Sequence, residues 1–76
     1  MLYRLFLMII RIKELRKEFG LTQADLAKKV GVSRQTMNAI ENGRYFPTLD
    51  IAYIITEIFN KKYVEEIFIK EDDDLV

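Results

Sequence analysis

Residues 21–43 read LTQADLAKKVGVSRQTMNAIENG, and the fold turns on how this stretch is read. Leu26, Ala27 and Val30 form one apolar stripe at helical spacing, and Met37 and Ile40 form a second. Gly31 stands between them as a helix stop. Thr22 is an N-cap with Asp25 three residues on, a variant of the capping box. Ser33 caps the second segment, and Asn42-Gly43 closes it. Two short helices joined by a turn containing glycine make a helix-turn-helix unit. The second helix docks its inner face and presents the other outward.

The flanks extend this pattern. Ile12, Leu15 and Phe19 share a face opposite Lys13, Glu14, Lys17 and Glu18, which predicts an earlier helix ended by Gly20. Phe46 precedes Pro47 and should be extended. Thr48 is expected to cap a further helix carrying Leu49, Ala52, Ile55, Ile58 and Phe59. Tyr63 to Ile67 reads as a short fifth helix, and Phe68-Ile69 as extended chain before a charged tail. The expected core is Phe19, Leu21, Leu26, Val30, Val32, Met37 and Ile40. The fold class is mainly α, a five-helix bundle with a small β-sheet from the two terminal segments. Residues 1–10 are expected to be an apolar strand used in dimerisation, 11–68 the helical domain, and 69–76 a strand end with an acidic tail.

The 76-residue chain has no cysteine and no histidine, which removes thiolate zinc sites and the commonest general base. No enzymatic activity, cofactor or metal is expected. The acidic run Glu71 to Asp74 lacks the spacing and glycine of a calcium loop and reads as a solvated tail. The net charge of zero is an average over unlike halves. Residues 1–44 hold nine basic and four acidic side chains (+5); residues 45–76 hold three basic and eight acidic (−5). Such asymmetry suits a surface with one basic face directed at phosphate.

On the helix that follows Ser33, Met37 and Ile40 point inward with Thr36 beside them, so Arg34, Gln35, Asn38 and Ala39 face out. Arginine matches the O6/N7 edge of guanine, and glutamine or asparagine the N6/N7 edge of adenine. Alanine leaves room for a thymine methyl. These side chains carry a major-groove vocabulary, although on an isolated helix they would read as ordinary solvated residues.

LTQADLAKKVGVSRQTMNAIENGRYFPTLD resembles the DNA-binding core of the Cro/repressor (XRE) family of helix-turn-helix regulators, with Gln23, Ala27, Gly31, Ser33, Ile40, Glu41, Asn42, Gly43 and Pro47 in the family's spacing. RIKELR before it and VEEIF after it extend the likeness over roughly residues 8–70. Within the family the chain resembles the short regulators with terminal β-strands, such as the cytolysin repressor. The resemblance implies a lambda-repressor-like bundle that binds double-stranded DNA. It implies that Arg34, Gln35 and Asn38 read bases with Ser33 and Thr36 nearby, and that Thr22, Gln23, Asn42 and Arg44 hold phosphates. Lys28 either adds charge there or is a solvated lysine; Tyr45 either joins the phosphate contacts or packs. Arg16 and Glu41 match a structural ion pair of the family. Proteins resembling this one commonly begin at the position of Met8, so MLYRLFL is either an extension or a start assigned upstream. NKKYVEEIF is a residue longer than the glycine-led turn usual there.

The run Leu5 to Ile10 is far shorter than the ~18 residues of a membrane span, and no cleavage site follows it. A cytoplasmic protein is expected. Both faces of MLYRLFLMII are apolar as a strand, so both want burial. The expectation is that Met8 to Ile10 pairs with residues around 67–70. Leu5, Phe6, Leu7, Met8, Ile9, Ile10, Phe68 and Ile69 would then lie at a homodimer interface. An extension of the first helix is the competing account, since Leu and Met favour helices. The functional expectation is a homodimeric repressor on an inverted-repeat operator. Its rivals are an antitoxin-like module whose main role is binding a protein partner, and a membrane-peripheral protein anchored by LFLMII.

Overall fold

The computed structural model describes residues 8–70. In chain order it contains β1 (Met8–Ile10), α1 (Ile12–Glu18), α2 (Gln23–Val30), α3 (Arg34–Glu41), α4 (Leu49–Ile58), a 3-10 turn (Val64–Glu66) and β2 (Phe68–Lys70). Ile12, Leu15, Leu26, Val30, Met37, Ile40, Ala52, Ile55, Phe59, Ile67 and Phe68 are drawn from every helix and from β2 into one buried cluster. Each large aliphatic side chain in it contributes about 1.5–3 kcal/mol relative to exposure.

The ends of α2 and α3 follow from local chemistry. The Thr22 hydroxyl accepts the Asp25 N–H at 2.9 Å, and the Asp25 carboxylate accepts the Thr22 N–H at 2.9 Å. Both orphan donors are thereby satisfied, with Asp in the place a capping box usually gives to Glu. Gly31 stops α2 at φ 93°, donating to the Ala27 carbonyl at 2.8 Å; a side chain there would be strained. Ser33 Oγ accepts the Thr36 N–H at 3.0 Å and starts α3. After α3, Gly43 N–H reaches the Ile40 carbonyl and Arg44 N–H the Ala39 carbonyl (3.1 and 2.9 Å), the paired bonds of a Schellman stop. At the end of α4, Asn60 takes the left-handed conformation (φ 58°) that glycine more often fills.

β1 and β2 pair antiparallel, with Met8 opposite Lys70, Ile9 opposite Ile69 and Ile10 opposite Phe68. Residues 8–10 therefore pair with 68–70 as expected, and α1 does not extend back through residues 8–10. Met8, Ile10 and Phe68 face the core, whereas Ile9 is 50% exposed on the outer face with Ile69. Arg11 continues the register by donating its N–H to the Ile67 carbonyl at 2.9 Å.

Several expectations are corrected. The fifth helix is only the 3-10 turn, giving four α-helices among the described residues. Ile67 is already committed to the sheet through Arg11, which leaves no room for a longer helix. Phe19 is 45% exposed, its ring edge resting on Phe59 at 5.3 Å rather than sinking into the core. Leu21, Val32 and Ile58 are marginal to the core, and Leu49 is 64% exposed. Thr48 makes no capping hydrogen bond; its hydroxyl donates instead to the Asp50 carboxylate.

Arg16 fastens α1 to the helix-turn-helix. Its Nε and Nη2 donate to the two Glu41 oxygens at 2.6 and 3.2 Å, and its Nη1 donates to the Leu21 carbonyl at 3.1 Å. The side chains are only 12% and 5% exposed, so neither charge has water to fall back on. Arg16→Met should therefore cost about 3–5 kcal/mol by stranding the Glu41 carboxylate, a large part of a small domain's stability. Arg16→Met with Glu41→Leu should recover most of the loss in urea unfolding.

Four of the described carboxyls, Glu14, Asp25, Asp50 and Glu66, are held below their ordinary values and link stability to pH, and two of them cap helical turns. The Asp25 carboxyl is held below its ordinary value by the Thr22 N–H and hydroxyl, and that of Glu66 by the N–H groups of Tyr63 and Lys62. Their contributions are full above the ordinary values of 3.8 and 4.5 and fade as pH falls through the lowered ones. The urea midpoint should drop on acidification through this range, and Glu66→Gln should make the drop shallower.

Candidate nucleic-acid interface

The outward side of α3 is polar, as its sequence requires once Met37 and Ile40 are buried. Arg34 and Gln35 are exposed, Asn38 and Ala39 half-buried. Arg34, Gln35 and Asn38 together line an open hollow of about 410 Å³. Three of the expected base-reading residues thus converge. Ser33 and Thr36 sit beside them but are engaged with each other: beyond the cap, Ser33 Oγ donates to Thr36 Oγ1 at 3.0 Å.

The residues expected to hold phosphates, Lys28 apart, divide into two groups. Thr22 and Gln23 lie at the start of α2. The Thr22 hydroxyl is committed to its cap, and Gln23 Nε2 donates to Glu41 Oε1 at 3.2 Å. Asn42 and Arg44 lie beyond the C-terminus of α3. Asn42 Nδ2 donates to the Asn38 carbonyl at 2.8 Å, and Arg44 Nη2 to Asn38 Oδ1 at 3.0 Å. Tyr45 is exposed next to them. Lys28 is exposed in the last turn of α2, beside Lys29 and away from the capped end, where a cation also favours the helix dipole.

Two side-chain links were missing from the sequence reading. The Arg16–Glu41 pair continues to Gln23, so one node ties α1, α2 and α3. Arg44 folds back over α3 onto Asn38. Neither shows as a periodicity, because each depends on how elements meet in space. Exposed Phe46, Leu49 and Tyr53 were also missed as surface residues. Phe46, Leu49, Met8, Val64 and Phe68 line an apolar groove of about 450 Å³.

Of the residues expected at a dimer contact, Ile9 and Ile69 face outward, whereas Met8, Ile10 and Phe68 pack on their own core. Leu5, Phe6 and Leu7 lie outside the described residues, as does the acidic tail. Among the described residues no group of three His, Cys, Asp or Glu side chains could hold a metal, and no helix is long and apolar enough to cross a membrane.

A family profile for helix-turn-helix domains matches residues 12–66. The chain is 50% identical over 62 residues to an uncharacterised HTH-type transcriptional regulator of Methanothermobacter thermautotrophicus, covering 82% of this chain and 90% of that one. It is 53% identical over 64 residues to another from Methanocaldococcus jannaschii, covering 84% and 96%. It also matches the antitoxin PezA of Streptococcus pneumoniae, 41% identical over 54 residues, which span 71% of this chain and 34% of PezA. With its capped α2, glycine turn and outward-facing α3, the chain belongs to the XRE-type helix-turn-helix transcriptional regulators, a family of DNA-binding proteins.

Proposed function

We propose that this protein is a homodimeric repressor that binds an inverted-repeat operator in double-stranded DNA, with α3 in the major groove. The convergence of Arg34, Gln35 and Asn38 on one hollow is the observation that carries the reading. Arg34, Gln35 and Asn38 read base edges, with Ser33 and Thr36 at the margin. Gln23 at the start of α2, and Asn42 and Arg44 beyond α3, grip phosphates on either side, joined by Thr22, Lys28 and Tyr45. Phosphate contacts fix register, and base contacts specify sequence. Repression follows from occupying DNA that polymerase needs.

The dimer contact is the outer face of the sheet, where exposed Ile9 stands beside half-buried Ile69. This face belongs to the terminal strands and not to α3, so two copies can present their recognition helices about 34 Å apart, one turn of DNA. An antitoxin-like role is a second reading. It is favoured by the relative named as an antitoxin and by the exposed apolar groove beside Leu49, which a protein partner could cover.

Binding should weaken steeply with salt. If a dimer neutralises about eight phosphates, log K falls against log[salt] with a slope near −7. Arg34→Ala should lose about 1–3 kcal/mol on a preferred site and relax one base position per half-site. Gln23→Ala should weaken binding to preferred and unrelated duplexes alike. Identical behaviour of the two variants would contradict the division between reading and gripping.

Sedimentation tests the dimer. The wild type should show twice the 9.0 kDa chain mass, and Ile9→Arg with Ile69→Arg should show a single chain with its helicity retained. A variant that stays dimeric would move the contact to another surface.

A further inference from the structure

The hydrogen bond between Arg44 and Asn38 bears on which base α3 reads. Arg44 is placed by backbone geometry: its N–H closes the Schellman stop on the Ala39 carbonyl at 2.9 Å, with Gly43 at φ 74°. That turn sends the side chain back along the outward face of α3, where Nη2 reaches Asn38 Oδ1 at 3.0 Å. Guanidinium has only donors, so the amide atom facing it must be the oxygen. The Asn38 Nδ2 hydrogens then point away from Arg44, without a hydrogen-bond partner among the described residues, on a side chain that lines the hollow with Arg34 and Gln35.

An asparagine that reads adenine must do two things at once: accept from the N6 amino group and donate to N7. Asn38 already gives one of the two Oδ1 lone pairs to Arg44, and the guanidinium charge beside that oxygen opposes the approach of a second donor such as N6. What Asn38 offers the groove unencumbered is a pair of N–H donors. The base edge that presents two acceptors is guanine, through O6 and N7; cytosine presents a donor, and adenine a donor beside its single acceptor.

We infer that Arg44 is a specificity-determining residue which, by holding Asn38 Oδ1, makes Asn38 select guanine over adenine. The inference rests on the reading of α3 as the base-reading helix. Arg44 keeps further N–H groups for a phosphate, so gripping the backbone and orienting Asn38 are compatible. The bond would then link a phosphate contact to a base preference.

The test begins with a duplex selected from a random pool by the wild-type protein. The base pair at which Asn38→Ala loses discrimination marks the position Asn38 reads. At that pair, wild-type affinity should be about tenfold or more higher for guanine than for adenine. Arg44→Met should weaken binding overall and, with Oδ1 released, abolish or reverse that ratio while the preferences set by Arg34 persist. Adenine preferred by the wild type at that pair, guanine preference unchanged in Arg44→Met, or no pair answering to Asn38→Ala would each overturn the inference. All three leave sequence-specific binding intact. Recovery of no preferred sequence at all would instead sink the proposed function.

Discussion

The bidentate contact between Arg16 and Glu41 is the constraint on which the rest of the arrangement depends. A helix-turn-helix works only if the angle between its helices is fixed, and directional hydrogen bonds add to what the apolar core supplies. Arg16 reaches from α1 to the last residue of α3 and, with its remaining nitrogen, to the turn before α2. Glu41 passes the connection on to Gln23. Removing both charges from water costs several kcal/mol per ion, and the forked geometry with the added bonds offsets much of it. The return is directional: apolar packing tolerates sliding, whereas a fork of hydrogen bonds does not.

That bracing separates two kinds of residue on one surface. Gln23 is held from behind by the structural pair, so its placement is a consequence of folding. Among the described residues, Arg34 and Gln35 have no side-chain hydrogen-bond partner, and their ends face outward from α3. Asn38 lies between these cases, anchored at its oxygen by Arg44 and open at its nitrogen. The zero net charge stops being a puzzle once the distribution is seen, because Arg34 and Arg44 flank the outward face of α3 while six of the eight acids beyond residue 44 lie at positions 65–74. A field of this kind orients the protein on a polyanion without making it bind indiscriminately.

Much of the fold was legible because it is written in local chemistry. Thr22 with Asp25, and Ser33 alone, announce the starts of α2 and α3; Gly31 and Gly43 announce their ends. The pairing of residues 8–10 with 68–70 was legible from chain that is apolar on both faces. What stayed hidden depends on tertiary competition. Tyr63 to Ile67 has helical character, but Arg11 takes the Ile67 carbonyl into the sheet. Phe19 and Leu49 keep helical spacing at the ends of α1 and α4, where the core has already run out. The Arg44–Asn38 and Gln23–Glu41 bonds join residues whose meeting no periodicity encodes.

The central claim is that a braced, outward-facing α3 reads double-stranded DNA in a two-fold arrangement. Binding-site selection from a random duplex pool, carried out on the whole chain, tests it most directly. The account predicts enrichment of an inverted repeat whose half-sites are centred one helical turn apart, about 10 base pairs. Enrichment of a lone asymmetric half-site would contradict the two-fold arrangement, and failure to enrich any sequence would contradict base reading by α3.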